Sequence, residues 1–252
     1  MEKQEALFKY CLRIGDNSLI LGHRLSEWCG HGPVLEEDIA MTNVALDLVG
    51  QARSILAYAG EVEGKGRSED DLAYLRSERE FLNTQLVELP NGDFAHTVAR
   101  HFYYDAFSFP FYTALANSSD EHLAAFAAKS LKEVTYHLRH SSEWTLRLGD
   151  GTEDSHERMQ TAIDALWRYT GELFEMDETD QVMIDSGIGI DMAAIKASSD
   201  KKIEEVLTEA TLTKPESNWM AKGGRNGVHT EHFGFILTEL QYLQRAHPDA
   251  KW

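Results

Sequence analysis

The sequence predicts an all-α fold, and three observations carry that reading. Apolar residues return at steps of three, four or seven over long stretches, the spacing of one helix face. Only five prolines occur, at 33, 90, 110, 215 and 248, which leaves long intervals free to be helical. No segment shows the period-two alternation of a half-buried strand, and no internal repeat or low-complexity tract interrupts the pattern. With 42% hydrophobic and 26% charged residues, the 252-residue chain has the composition of a globular protein with a substantial core.

The first helix is read over about Glu5–Trp28, with Leu7, Cys11, Ile14, Leu21, Leu25 and Trp28 on one face. A Gly30–Pro33 turn follows, and Glu36, Glu37 and Asp38 suit the N-terminus of a second helix running to about Gly60. Met41, Val44, Leu48, Ala52, Ile55 and Ala59 form its stripe. Beyond the polar loop at Gly64 and Gly66, the residues Leu72, Leu75, Leu82 and Leu86 predict one shorter amphipathic helix leading to Pro90-Asn91-Gly92. Asp93 is a fitting N-cap for a third long helix, with Val98, Phe102, Phe109 and Tyr112 inward and a kink expected at Pro110. A fourth runs from near Asp120 to Leu148. Three further helical stretches are read at roughly Asp154–Phe174, Asp191–Leu212 and Val228–Ala246, the last preceded by a glycine-rich turn at 223–227.

Two long helical hairpins joined by a crossover of about thirty residues give the plan of a ferritin-like four-helix bundle with one long connection. The expectation is a single domain over 1–252, with a core bundle at about 5–148 and additional C-terminal helices at about 154–246. Lys and Arg number 24 against 42 Asp and Glu, a formal charge of −18. A field of that sign repels nucleic acid and anionic lipid, so neither is expected as a partner. No apolar run approaches a membrane span, and the polar start Met1-Glu2-Lys3-Gln4-Glu5 does not read as a signal peptide. Cys11 and Cys29 are read as two buried reduced thiols, and the chain as cytoplasmic.

Ferritin-like carboxylate proteins bring a Glu from each of two helices and a Glu-x-x-His from each of the others to one level. If the hairpins turn near residues 32 and 118, that level contains Asn17, Asp47, Asp105 and Glu133, with His137 one turn beyond Glu133. The set departs from the metal pattern. Gly50 stands three residues after Asp47, Tyr136 three after Glu133, and the first helix offers Asn17, or Asp16 if the level shifts by one. Both expected imidazoles are missing. These degenerate positions are therefore read as a buried, hydrogen-bonded polar cluster, with no catalytic, cofactor-binding or metal-ligating residue in the chain. Two other readings stay open. One is an independent metal-dependent enzyme with a noncanonical site at Asp105, Glu133 and His137. The other is a small-molecule binding module that holds a phosphate at the 223–227 turn, flanked by Lys222 and Arg225; the resemblance described next would make that molecule CoA. His229-Thr230-Glu231-His232 lacks a third convergent ligand and is read as a helix start or an interface.

Several segments resemble the C-subunit family of bacterial phenylacetyl-CoA epoxidases. They are Leu12-Arg13-Ile14-Gly15-Asp16-Asn17, Glu27-Trp28-Cys29-Gly30-His31, and Leu46-Asp47-Leu48-Val49-Gly50-Gln51-Ala52-Arg53. The stretch Gln85–Phe94, Lys132-Glu133 with Tyr136-His137-Leu138-Arg139, and Leu166-Trp167-Arg168 are similar as well. So is the run from Gly227 through His229–His232 to Gln241-Tyr242-Leu243-Gln244-Arg245. The likeness runs in order along essentially the whole chain. It implies a ferritin-like structural subunit of a multicomponent monooxygenase in aerobic phenylacetate catabolism. A related A subunit would carry a di-iron centre and bind the acyl-CoA, and a reductase subunit would deliver electrons from NADPH. The C subunit would hold no cofactor and pair with the A subunit.

Overall fold

The computed structural model describes residues 1–217, 219–248 and 250. Among them lie ten α-helices and no strand. In chain order they are α1 Lys3–Ser26, α2 Leu35–Glu63, α3 Glu69–Tyr74, α4 Gln85–Glu88, α5 Phe94–Leu115, α6 Glu121–Gly149, α7 Glu153–Trp167, α8 Glu178–Asp185, α9 Met192–Glu209 and α10 Phe233–Ala246. Three 3₁₀ turns, Glu78–Glu80, Gly171–Phe174 and Gly224–Asn226, complete the set. The all-helical fold is consistent with a ferritin-like helical bundle. No helix among the described residues is long and apolar enough to cross a membrane.

The chain forms two compact units. The first comprises Met1–Pro90, Glu178–Met183 and Gly223–Trp252; the second comprises Asn91–Asp177 and Ile184–Lys222. In the first, α1 and α2 make a long hairpin. Gly15 lets the two backbones approach, since a Cβ there would strike Leu56 and Ile55. From Tyr10 to Gly22 α1 is buried on every side, so its polar residues Arg13, Asp16, Asn17 and Ser18 need partners within the protein. In the second unit α5 packs on α6, α7 and α9. Asp93 caps α5 by accepting from the His96 N–H at 2.9 Å, and Asp120 caps α6 by accepting from Leu123 at 2.9 Å. Pro110 lies inside α5 near its C-terminal end.

Four expectations need correction. The crossover is not one amphipathic helix but α3, a 3₁₀ turn and α4 in succession. Two capping boxes, Ser68 with Asp71 and Ser77 with Glu80, restart the chain every nine residues. The backbone's remaining donors and acceptors go to side chains: Arg76 donates to the carbonyls of Leu72 and Glu80, Asp16 accepts from Leu82, and Asn17 accepts from Thr84. Helix α8, where no helix was expected, fills the interval after Phe174. The last helix begins at Phe233 rather than Val228, because Thr230 N–H and the His229 ring are drawn to Glu88. Cys11 is buried, whereas Cys29 is exposed, since α1 ends at Ser26 and Cys29 falls in the following turn.

Candidate functional site

The polar positions singled out from the sequence fall in both units. Asn17 and Asp47 belong to the first, and Asp105, Glu133 and His137 to the second. In the second unit, helical spacing assembles a sealed polar layer where α5 meets α6. On α5, His101 and Asp105 stand four residues apart; on α6, His137, Ser141 and Thr145 continue at steps of four. All five are buried. Ser141 Oγ donates to Asp105 Oδ2 at 2.7 Å, and Thr145 Oγ1 donates to the Ser141 carbonyl at 2.8 Å.

Burial pushes the Asp105 carboxyl up from 3.8 to about 6, against the opposing pull of His137, the Ser141 hydrogen bond and His140. Burial pushes His101 well below its ordinary value, and Arg100, His137 and His140 act in the same direction. His101 is accordingly neutral near pH 7.

The shift of Asp105 has a measurable consequence. Between pH 3.8 and about 6 the folded chain keeps a proton that the unfolded chain has released. The resulting stability is complete below about pH 4 and is lost as the pH rises through about 6. Asp105→Asn keeps an acceptor for Ser141 and cannot ionise. It is expected to match the parent near pH 4 and to exceed it by about 1–3 kcal/mol near pH 8. Urea midpoints at a series of pH values check this; a variant with the parental fall between pH 4 and 7 contradicts it.

Asp47 and Glu133 are only half-buried, Gly50 is exposed, and Tyr136 lies on an open face stacked on His140. The reason is helical phase. The buried stripe of α2 runs Val44, Leu48, Gln51, Ile55, and that of α6 runs Ser130, Val134, His137, Ser141. Asp47 and Glu133 sit about 60° off these stripes, so the inward place falls to Gln51 and His137. Asn17 is buried and accepts from Thr84 N–H at 2.8 Å.

Three buried constellations in the first unit were missed from the sequence. Asp16 and Arg76 form a fully buried ion pair, with the Arg76 guanidinium 4.1 Å from the centre of the Phe81 ring. Asp180 accepts from Arg225 at 2.6 Å and Arg13 at 3.3 Å. Glu88 gathers the His229 Nδ1 at 2.7 Å, Asn83 Nδ2 at 2.9 Å and the Thr230 N–H, while His229 Nε2 donates to the Phe81 carbonyl at 3.0 Å. Arg13, Asp16, Glu88, Arg225 and His229 all lie in or beside segments already noted for their family resemblance, which was the available signal.

A di-metal centre does not fit these residues. Gly50 offers no ligand atom, Tyr136 faces outward, and one oxygen of Asp105 is engaged by Ser141. Among the described residues no group of three or more His, Cys, Asp or Glu side chains is placed to hold a metal ion. The 223–227 turn is likewise closed. Gly223 and Gly227 take positive φ, Gly224 and Gly227 press on the backbone of Asn83 and Arg79, and Arg225 is held by Asp180. A phosphate would have to displace that packing.

The family model described as Phenylacetic acid catabolic protein matches residues 1–252. The chain is similar to the C subunit of the 1,2-phenylacetyl-CoA epoxidase of Escherichia coli, with 49% identity over 246 residues that span 98% of this chain and 99% of the relative. Over its full length, therefore, the chain belongs to the phenylacetic acid catabolic protein family.

Proposed function

We propose that this chain is the non-catalytic structural subunit of a multicomponent phenylacetyl-CoA epoxidase, pairing with the catalytic A subunit and stabilising it. The observation that carries the reading is the end-to-end similarity, at 49% identity, to the C subunit of such an epoxidase. Helical phase supports it, since it turns Gly50 and Tyr136 outward and leaves a hydrogen-bonded layer at Asp105, His137 and Ser141. Oxygen activation then belongs to a di-iron centre in the A subunit, fed by the reductase. Two free thiols suit a cytoplasmic setting.

The test is reconstitution of the epoxidase from purified subunits, reductase and NADPH, with and without this chain. The chain alone is expected to produce no epoxide and to hold no stoichiometric metal. Leaving it out is expected to lower turnover at least about tenfold, equivalent to about 1.4 kcal/mol of barrier. Full turnover in its absence, monomeric behaviour beside the A subunit, or a tightly held metal lost on Glu133→Ala would overturn the reading.

A further inference from the structure

The outward face of α2 carries an apolar stripe that nothing among the described residues covers. Leu35, Ile39 and Leu46 are 72%, 53% and 64% exposed. With Gly50 and Arg53 they follow one another at steps of four, seven, four and three, a straight line along about 27 Å of helix. Exposed aliphatic side chains scattered singly are ordinary; a row at this spacing is the seam by which one helix packs on another.

Gly50 sharpens the point. It stands in the middle of a 29-residue helix, where glycine is less favourable than alanine. Its φ is not positive, and a Cβ built there would meet nothing within 4 Å. The chain's own packing gives no reason for the missing side chain. A second helix crossing the stripe at this level supplies one, because its backbone could approach at Gly50 more closely than a side chain would allow.

Charge decides between occupants. The stripe is flanked by Glu36 and Asp47 on one side and Asp38 on the other, while its one cation, Arg53, already meets Glu69 at 3.3 Å. A second copy of this chain would bring another −18 to the contact, which long-range repulsion opposes. We propose that the stripe Leu35–Ile39–Leu46–Gly50 of α2 is the docking seam for an amphipathic helix of the catalytic partner subunit, one that presents an apolar row flanked by basic residues. The assignment rests on the function proposed above and adds to it the surface and the chemistry of its complement.

Two variants test it in the full-length chain. Gly50→Gln places a side chain in open space and favours the helix, and Leu46→Glu puts a charge in the seam without touching the core. Both are expected to keep the parental circular dichroism and melting temperature. Both are expected to weaken binding to the purified A subunit at least about tenfold, the effect of removing a central contact. Parental association with unchanged affinity in both variants overturns the seam alone. A self-dimer dissociated by Leu46→Glu, with A-subunit binding intact, overturns it by showing a second copy as the occupant. A parental chain that does not bind the A subunit takes down the proposed function and the seam together.

Discussion

Asp16→Ala is expected to lower the chain's unfolding free energy by about 3–5 kcal/mol, the cost of breaking a buried ion pair by removing one partner. Asp16 is completely buried and answers both Arg76 and the Leu82 N–H, the latter at 2.8 Å. Without it the guanidinium of Arg76 keeps its bonds to the carbonyls of Leu72 and Glu80 and loses its counter-charge. The same guanidinium shapes the crossover, so damage is expected to reach beyond the pair. The Arg76 carbonyl, which accepts from Gln241 at 3.0 Å and Arg245 at 2.9 Å, ties that corner to α10. Urea denaturation measures the loss. Hydrogen exchange is expected to show protection falling first over residues 68–84. A variant within about 1 kcal/mol of the parent would mean that water replaces the carboxylate, contrary to the burial of the pair.

Glu88→Ala is expected to cost a similar amount, about 3–5 kcal/mol, for a different reason. Here one carboxylate satisfies three donors from two distant parts of the sequence: Asn83 beside it, and His229 and Thr230 ahead of α10. Removing it leaves the Nδ1 of His229, in a wholly enclosed side chain, without its carboxylate partner, while Nε2 keeps the Phe81 carbonyl. Glu88→Gln is expected to be milder, because an amide oxygen still accepts from Thr230. The double variant Glu88→Ala, His229→Ala separates the two effects. If the pair acts as one unit, the double loss falls well short of the sum of the single losses. Additive losses would show that His229 is anchored chiefly by the Phe81 carbonyl.

The long helices were legible because their signals are local. Apolar period, the caps Asp93 and Asp120, and the breaks at Gly30–Pro33 and Gly149–Gly151 all act within a few residues. The crossover was not legible. Its path is set by Asp16 and Asn17, residues some sixty positions away, and a pattern reading of Leu72, Leu75, Leu82 and Leu86 cannot see them. Leu75, counted toward an inward stripe, is in fact exposed. Helix α8 escaped for the opposite reason, being short and weakly amphipathic in an acidic stretch.

The polar layer was half visible. Asp105 and His137 were found on their stripes, and the partner that stabilises Asp105 is Ser141, one turn beyond His137. Asp47 and Glu133 were placed by counting residues from assumed hairpin turns. That fixes height along the bundle and says little about azimuth, and about 60° of rotation separates an inward carboxylate from a flanking one. His101 went unnoticed because a histidine preceding Phe102 reads as the edge of an apolar run, and only burial from neighbouring helices alters its chemistry.

The interleaving of the two units bears on how the protein comes into being at the ribosome. The first unit takes its last pieces from residues 178–183 and 223 onward, whereas the second is complete in sequence by residue 222. Synthesis therefore delivers every segment of the second unit before the first has its full complement. Through most of translation Arg13 waits for Asp180, and Glu88 for His229, with their apolar neighbours unsealed. Apolar surface left open in that way is what makes incompletely folded chains prone to aggregate. The segments around His229 and in α10 act as the closing clasp: they lock a hairpin whose own helices were synthesised more than 150 residues earlier.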